Sequence, residues 1–293
     1  IALQEQGKLD EAIACYQKAL DIKPDYAAAQ TQMLHLLQHI CDFERTTALR
    51  DLSATLGIDT VAVSPFAALS WADNSEQQLA RSKNWAREQY KKAPLQLPAR
   101  PQSRPVRLKI GYFSADFYDH PVLTLISGLL REHNKHRFEI FAFSYGKNKD
   151  DDLRQQLIKD VENFVDVSDC SDSKIADLAR SNDLDIAIDL TGYTGHSRSR
   201  LFQFRLAPIQ INYLGFPGSM GADFFDYIVA DPVIRAFPSP FQPSASARSK
   251  TWQRPRRHPS GSSFTSARTA PSTNGRLTAP KPPNARRLWS RWI

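Results

Sequence analysis

The chain has 293 residues, of which 41% are hydrophobic and 24% charged, and its formal net charge is +7. This length suffices for about two domains with a buried core, and the composition excludes a collagen-like or wholly disordered chain. The charge is unevenly spread, because residues 235–293 hold ten Arg, two Lys and no acid. The other 234 residues are mildly acidic, so nucleic-acid binding inferred from charge would rest on that C-terminal segment alone.

The cysteine spacing and the hydropathy pattern indicate the broad class of protein. Cys15, Cys41 and Cys170 lie far apart and form no Cys-x-x-Cys pair, which argues against zinc or disulfide staples and favours a cytoplasmic location. No apolar run reaches the ~18 residues that a membrane-spanning helix needs, so we expect no membrane association. The chain starts at Ile1 without a signal-like segment, and we expect a fragment that begins inside a domain.

The first 38 residues predict a pair of helices. Apolar residues recur at helical spacing from Ala12 to Leu20, Gly7 precedes them and Pro24 follows. The string Gly7…Glu11-Ala12…Tyr16…Ala19-Leu20…Pro24 resembles the second half of a tetratricopeptide repeat. We therefore assign residues 1–38 to a partial repeat, with an ordinary helical hairpin as the alternative.

Residues 39–105 predict further helices and then a linker. Ser64-Pro65 has the order of an N-cap followed by proline at the first helical position. Asn74 or Ser75 should begin a longer helix that reaches about Lys92. Four prolines in a polar setting between 93 and 105 indicate a semi-rigid linker and a domain boundary.

Residues 106–234 alternate between strand-like and helical patterns. The strand candidates are 107–113, 138–145, 163–167, 185–190, 209–214 and 225–230, and the helix candidates are 121–133, 151–160 and 172–181. Such alternation predicts a parallel sheet with helices on both faces, which is one Rossmann-like α/β domain.

Residues 235–293 break this pattern. They contain nine Pro and ten Ser but no acidic residue. Such a segment cannot bury enough apolar area to offset its chain entropy, so we expect a disordered basic tail. Its composition also fits translation out of frame.

The loop after the first predicted strand contains two candidate site residues, Asp116 and His120. Ligands of open parallel sheets bind beyond the carboxyl ends of the strands. His120 precedes Pro121 at a predicted helix start, where the helix dipole favours a neutral imidazole that can take part in proton transfer. The alternative is a capping histidine without a chemical role.

Two later loops follow the fourth and fifth predicted strands. Glycines there permit positive φ and close approach to a ligand, although plain tight turns are the alternative. The candidate binding residues are Gly192, Tyr193, Thr194, Gly215, Pro217, Gly218 and Gly221. Asp189 is interpreted as a cap for the loop that follows it. His35 and His39 lie four residues apart without a third ligand, and we expect no metal site.

Three ordered motifs resemble one family. Ile110-Gly-Tyr-Phe-Ser-Ala-Asp-Phe117…His120-Pro-Val122, Asp185-Ile-Ala-Ile-Asp-Leu-Thr-Gly-Tyr-Thr194 and Ala207-Pro-Ile-Gln…Gly215-Phe-Pro-Gly-Ser-Met-Gly-Ala222…Asp231 are similar to the catalytic region of O-linked N-acetylglucosamine transferases. The segment between Cys41 and Tyr90 resembles the bacterial, SPINDLY-type members.

This resemblance implies a GT-B-like fold with two Rossmann-type domains facing a cleft. It implies transfer of N-acetylglucosamine from UDP-N-acetylglucosamine to Ser or Thr of proteins, without a metal or cofactor, with the repeats presenting the acceptor proteins. His120 matches the family's active-site histidine in the first Rossmann domain.

The resemblance also implies that most of the donor site lies in a second Rossmann domain beyond Asp231, where this sequence has the basic tail. We therefore expect the chain to be inactive in this form, since the charges that stabilise the leaving diphosphate would be missing. A non-catalytic scaffold is the alternative function. Specific nucleic-acid binding is not expected, because nothing in the folded part supplies base readout.

Overall fold

The structure, a computed structural model, describes residues 2–71, 74–90, 105–147 and 149–230. The predicted tail 235–293 and most of the predicted linker 93–105 therefore lie outside the described residues. Seven helices form the N-terminal part of what is described: α1 (Ala2–Glu5), α2 (Leu9–Ile22), α3 (Ala27–His39), α4 (Phe43–Ala48), α5 (Arg50–Thr55), α6 (Pro65–Ala68) and α7 (Ser75–Gln89).

Helix α2 is the helix predicted between Gly7 and Pro24, and it packs against α3. Ala12 and Ile13 of α2 pack against Met33, Leu36 and Leu37 of α3. The small Ala12 side chain lets the two helices approach closely, and the chain enters α2 through Gly7, whose φ is +74°. The apolar spacing of the sequence thus becomes one shared buried face.

Helix α7 begins where the sequence predicts. The Asn74 side chain accepts a hydrogen bond from the backbone N–H of Gln77, which caps the helix. Ser64 precedes Pro65 as expected, but its side chain makes no capping bond. The fully buried Arg81 donates to the carbonyl oxygens of Ser53 and Leu56 and so joins α7 to the end of α5.

The rest of the described chain is a six-stranded parallel sheet. The strands are β1 (Leu108–Ser114), β2 (Phe138–Ser144), β3 (Asn163–Asp166), β4 (Ile186–Asp189), β5 (Ile209–Tyr213) and β6 (Tyr227–Val229), in the order β3-β2-β1-β4-β5-β6. The connecting helices are α8 (Pro121–Glu132), α9 (Asp152–Asp160), α10 (Asp172–Ser181) and a 3₁₀ helix (Ser199–Phe204). The predicted α/β fold and its alternation are confirmed.

The central strands β1, β2 and β4 are largely buried on both faces, which explains their near-continuous apolar runs. On one face Tyr112 and Ile140 pack against Leu123 and Ile126 of α8. On the other face Phe113, Phe143 and their neighbours form a second core. The Phe113 and Phe143 rings stack there with their centroids 4.5 Å apart. Ala86 of α7 belongs to this second core, so α7 packs on the sheet although the predicted linker separates the two in sequence.

The strand order places a switch point beside β1. The chain leaves β1 towards β2 on one side and later returns to β4 on the other. A crevice forms at the carboxyl ends of strands where the order reverses in this way. The His120, Thr194 and Gly218 loops follow β1, β4 and β5, and all three lie at this carboxyl edge. Within the described ranges, no helix combines the length and apolar character that crossing a membrane requires.

Candidate active site

His120 stands at the start of α8 and serves as its N-cap. Its Nδ1 accepts a hydrogen bond of 3.2 Å from the backbone N–H of Val122. When Nδ1 of a neutral imidazole is the acceptor, the ring proton lies on Nε2. In this geometry Nδ1 is the accepting nitrogen of His120, and Nε2 is the nitrogen that can donate a hydrogen bond.

Asp116 lies beside His120 in the same loop. Its Oδ2 is 3.9 Å from Nδ1 of His120, and the residue is only 6% exposed. Burial raises the pKa of the Asp116 carboxyl above its usual value, while His120, His196 and a hydrogen bond from Tyr118 act in the opposite direction. A carboxyl with a raised pKa takes up a proton more readily than an ordinary aspartate does.

Asp189 ends β4 and is fully buried. One carboxylate oxygen accepts hydrogen bonds from the N–H groups of Thr191 and Gly192, and the other accepts from the Ser199 hydroxyl. Burial raises the pKa of Asp189, and these three bonds oppose the rise. The carboxylate therefore caps the β4 loop, as its position at the end of the strand predicts.

Thr191 holds the strand ends together. Its hydroxyl oxygen accepts from the Ala115 N–H at 3.3 Å and from the Tyr145 hydroxyl at 2.8 Å. The ends of β1, β2 and β4 thereby meet at one buried atom. Thr191 was not among the predicted site residues, although its place directly after a buried strand was a usable signal.

The β4 loop packs against the β5 loop. At Gly192, where φ is +58°, an added Cβ would lie 2.4 Å from the Phe216 side chain. The Tyr193 hydroxyl donates to the Met220 carbonyl oxygen at 2.7 Å, and the Thr194 hydroxyl donates to the Thr191 carbonyl oxygen. Gly192 and Tyr193 thus make contacts between the β4 loop and the β5 loop.

The β5 loop carries the other predicted residues. A Cβ at Gly215 would lie 2.0 Å from the Leu190 carbonyl oxygen, and one at Gly221 would lie 2.6 Å from the Lys83 nitrogen of α7. Gly218 packs beside the Phe216 ring, whereas Pro217 is exposed. Packing alone accounts for glycine at 215 and 221, so substrate binding by these residues stays a prediction.

A separate open cleft of about 610 Å³ lies at the carboxyl ends of β2 and β3. Its lining residues are Tyr145, Gly146, Lys147, Asp166, Ser168, Asp169 and Cys170. None of the predicted site residues lines it. In the part of the chain that the structure describes, no three His, Cys, Asp or Glu side chains cluster as metal ligands would.

Comparison with known proteins gives two family matches. Residues 80–247, more than half of the chain, match the model of glycosyl transferase family 41. Residues 2–33 match a tetratricopeptide (TPR) repeat model. The larger match begins inside α7, the helix that packs on the sheet.

Curated relatives agree with these matches. The chain is 37% identical over 141 residues to a probable UDP-N-acetylglucosamine–peptide N-acetylglucosaminyltransferase, SEC, of Arabidopsis thaliana, covering 48% of this chain and 14% of that protein. It is 38% identical over 128 residues to the UDP-N-acetylglucosamine–peptide N-acetylglucosaminyltransferase of Caenorhabditis elegans, covering 43% and 11%. The matched part thus spans only about a seventh or less of these relatives.

A solved structure supports the fold. A mutant of the Thermobaculum terrenum O-GlcNAc transferase aligns with a TM-score of 0.56 at 24% identity, covering 78% of this chain and 44% of the other. With the family model matching most of α7, the whole sheet and the three strand-end loops, the chain belongs to glycosyl transferase family 41.

Proposed function

We propose that the carboxyl edge around His120 is the first half of the active site of a protein O-N-acetylglucosaminyltransferase. The reaction would transfer N-acetylglucosamine from UDP-N-acetylglucosamine to Ser or Thr hydroxyls. The carrying observation is the His120–Asp116 pair at the switch point of a family 41 sheet. The names of the matched relatives, which describe this donor and peptide acceptors, support the proposal.

His120 and Asp116 have different roles in the proposed reaction. His120 donates a hydrogen bond from Nε2 to a substrate oxygen, since its Nδ1 is engaged by the Val122 N–H. Asp116 accepts the proton of the acceptor hydroxyl, whose oxygen then forms the bond to the anomeric carbon. The bond from that carbon to the diphosphate oxygen breaks, and its electron pair leaves with UDP.

The other predicted residues shape the loops at the same carboxyl edge of the sheet. Exposed Pro217 and the neighbouring Gly218, together with Thr194, are proposed to contact substrate. Gly192, Tyr193, Gly215 and Gly221 keep the loops close enough for those contacts. All of these residues would thus serve binding, directly or by fixing the loops.

The α2–α3 pair is proposed to present acceptor proteins. Stacked helical pairs of this type build extended surfaces for protein binding, and the TPR match covers most of the pair. We place the protein in the cytoplasm, where its three thiols would stay reduced. The acceptor and the location both belong to the proposal.

We further propose that transfer requires a second Rossmann-type half that holds the diphosphate. The family resemblance assigns the leaving-group contacts to that half, and residues 235–293 lack any strand-helix alternation. The composition of residues 235–293 favours the second candidate function, which is a scaffold that binds proteins without catalysis.

A graft tests the proposal. Residues 80–230 would replace the structurally matched segment of the Thermobaculum terrenum transferase, and transfer to an acceptor peptide would be compared with that of the 293-residue chain. We expect transfer by the graft, and transfer by the 293-residue chain at least about 10²-fold lower, because the graft also contains the second half that we propose stabilises the leaving group. A folded graft without transfer contradicts the active-site proposal, and strong transfer by the chain contradicts the need for a second half.

A further inference from the structure

Helix α9 reaches across the sheet edge to the loop that carries His120. Arg154, in the first turn of α9, is only 3% exposed. Its Nη1 donates to the Phe117 carbonyl oxygen at 3.1 Å and to the Ser144 hydroxyl at 2.8 Å. Its Nη2 donates to Asp166 at 2.6 Å. One guanidinium therefore joins the His120 loop to the ends of β2 and β3.

Asp151, the N-cap of α9, makes a second connection. Its Oδ1 accepts from the Arg154 N–H at 2.9 Å, which is the usual capping bond. Its Oδ2 accepts from the backbone N–H of Asp119 at 2.8 Å. These backbone hydrogen bonds, the one from Asp119 first, lower the pKa of the Asp151 carboxyl. The helix cap uses one oxygen, and the other holds the residue next to His120.

The backbone before His120 is thus fixed at three places. Thr191 holds Ala115, Arg154 holds Phe117 and Asp151 holds Asp119. The third anchor is one residue from the imidazole. The imidazole is held at the helix start by the hydrogen bond from the Val122 N–H. A rotation of the Asp119 peptide would move the ring relative to that N–H and so change the direction in which Nε2 points. The direction of the donor therefore depends on side chains more than 30 residues later in the chain.

A purely stabilising role would not require this arrangement. A buried guanidinium carries a desolvation cost, and well-packed apolar residues often stabilise a fold as well as a buried charged group. A guanidinium also carries its N–H donors in a rigid plane, so it holds several acceptors in one fixed arrangement. Here those acceptors are the His120 loop and two neighbouring strand ends.

We propose that Asp151 and Arg154 are positioning residues that set the orientation and tautomer of His120. The proposal rests on the proposed function for the importance of that orientation. Neither side chain is assigned contact with a substrate. Their effect passes through the peptide of Asp119 and the carbonyl of Phe117.

The test uses Asp151→Ser in the 293-residue chain. Serine is a good N-cap, so the Arg154 N–H keeps an acceptor, but its single hydroxyl cannot also reach the Asp119 N–H. Asp42→Ser is the matched control, because Asp42 caps α4 through the Arg45 N–H and lies in the helical part. Arg154 itself is a poorer target, since its loss would leave two buried acceptors, the Phe117 carbonyl and the Ser144 hydroxyl, without this donor.

The readouts are the ¹⁵N imidazole resonances of His120 and the exchange rate of the Asp119 amide hydrogen. We expect Asp151→Ser to raise that exchange rate at least about 10-fold, as for the loss of a hydrogen bond worth about 1.4 kcal/mol, and to populate the second tautomer of His120. Asp42→Ser should change neither signal. Wild-type imidazole resonances in Asp151→Ser would overturn the proposal, as would unchanged exchange at Asp119.

These measurements need no turnover. An inactive graft alongside a shifted His120 tautomer would contradict the proposed function alone. An active graft alongside an unshifted tautomer would contradict the positioning role alone.

Discussion

His120 combines two roles through its two ring nitrogens. Nδ1 satisfies the Val122 N–H, one of the unpaired donors of the first helical turn. In the proposed function, Nε2 donates a hydrogen bond to a substrate oxygen. This division makes capping and chemistry separable by mutation, because an amide side chain can replace the first role but not the second.

The Asp189 carboxylate gives a residue-scale prediction about stability. Asp189→Ala would leave the Thr191 and Gly192 N–H groups without their buried acceptor. Each unpaired buried group costs about 1–3 kcal/mol, so we expect a loss of about 3 kcal/mol or more in the free energy of unfolding. Urea unfolding followed by circular dichroism measures it. Asp169→Ala, at an exposed position, is the control and should change stability little.

His133 gives a prediction about pH. Its Nε2 shares a 2.8 Å hydrogen bond with the Tyr112 hydroxyl, and burial lowers its pKa to about 4. Below about pH 6.5 the unfolded chain gains a proton that the folded chain does not. Stability therefore falls as the pH drops towards 4, by about 2 kcal/mol between pH 7 and pH 5.

The variants His133→Gln and His136→Gln separate this effect from the other histidines. Glutamine at 133 can still bond Tyr112 but does not titrate, so its stability should depend less on pH by about the same 2 kcal/mol. His136 is exposed, and its replacement should keep the wild-type dependence. Identical pH dependence in the two variants would disagree with the buried position of His133.

Local signals explain which site residues the sequence predicts. His120 and Asp189 stand at strand and helix ends, where capping chemistry is visible within a few residues. Arg154 and Thr191 act on backbone groups 37 and 76 residues away, at Phe117 and Ala115. No periodicity carries such a pairing, so these contacts required the structure, although the position of Thr191 directly after a strand was visible in the sequence.

Helix α7 and the β5 loop show the same limit for whole elements. Apolar runs located all six strands, and the runs are longest in the central strands, which are buried on both faces. They did not show that α7 packs on the sheet beyond the predicted linker. Ala86 joins the sheet core, and the Trp85 and Tyr90 rings each lie 6.4 Å from the Tyr193 ring. Only contacts distant in sequence define this interface.

Gly221→Ala tests that interface. A Cβ at 221 would collide with the α7 backbone at Lys83, and φ of +60° adds strain for any residue but glycine. We expect a loss of about 2–4 kcal/mol in unfolding free energy and faster amide exchange within α7. Gly195→Ala is the control, since nothing lies within 4 Å of its added Cβ. Equal stability of the two variants would show that α7 does not pack closely on this loop.

For the molecule as a whole, the family match runs from residue 80 to 247, and the chain covers 44% of the solved transferase. The sheet places Asp116 and His120 at its switch point. Fold and family were both predictable from ordered motifs, whereas the accepting nitrogen of His120 is seen only in the structure. Substrate contacts at the three loops stay predictions.

The most direct measurement is the transfer rate of the residue 80–230 graft carrying His120→Asn. Asparagine is a good N-cap and can accept the Val122 N–H, but it lacks a donor at the place of Nε2. We expect kcat to fall by about 10²-fold or more while the melting temperature stays near that of the unmodified graft. Undiminished transfer by a stably folded His120→Asn graft would contradict the assignment of His120 to the reacting centre.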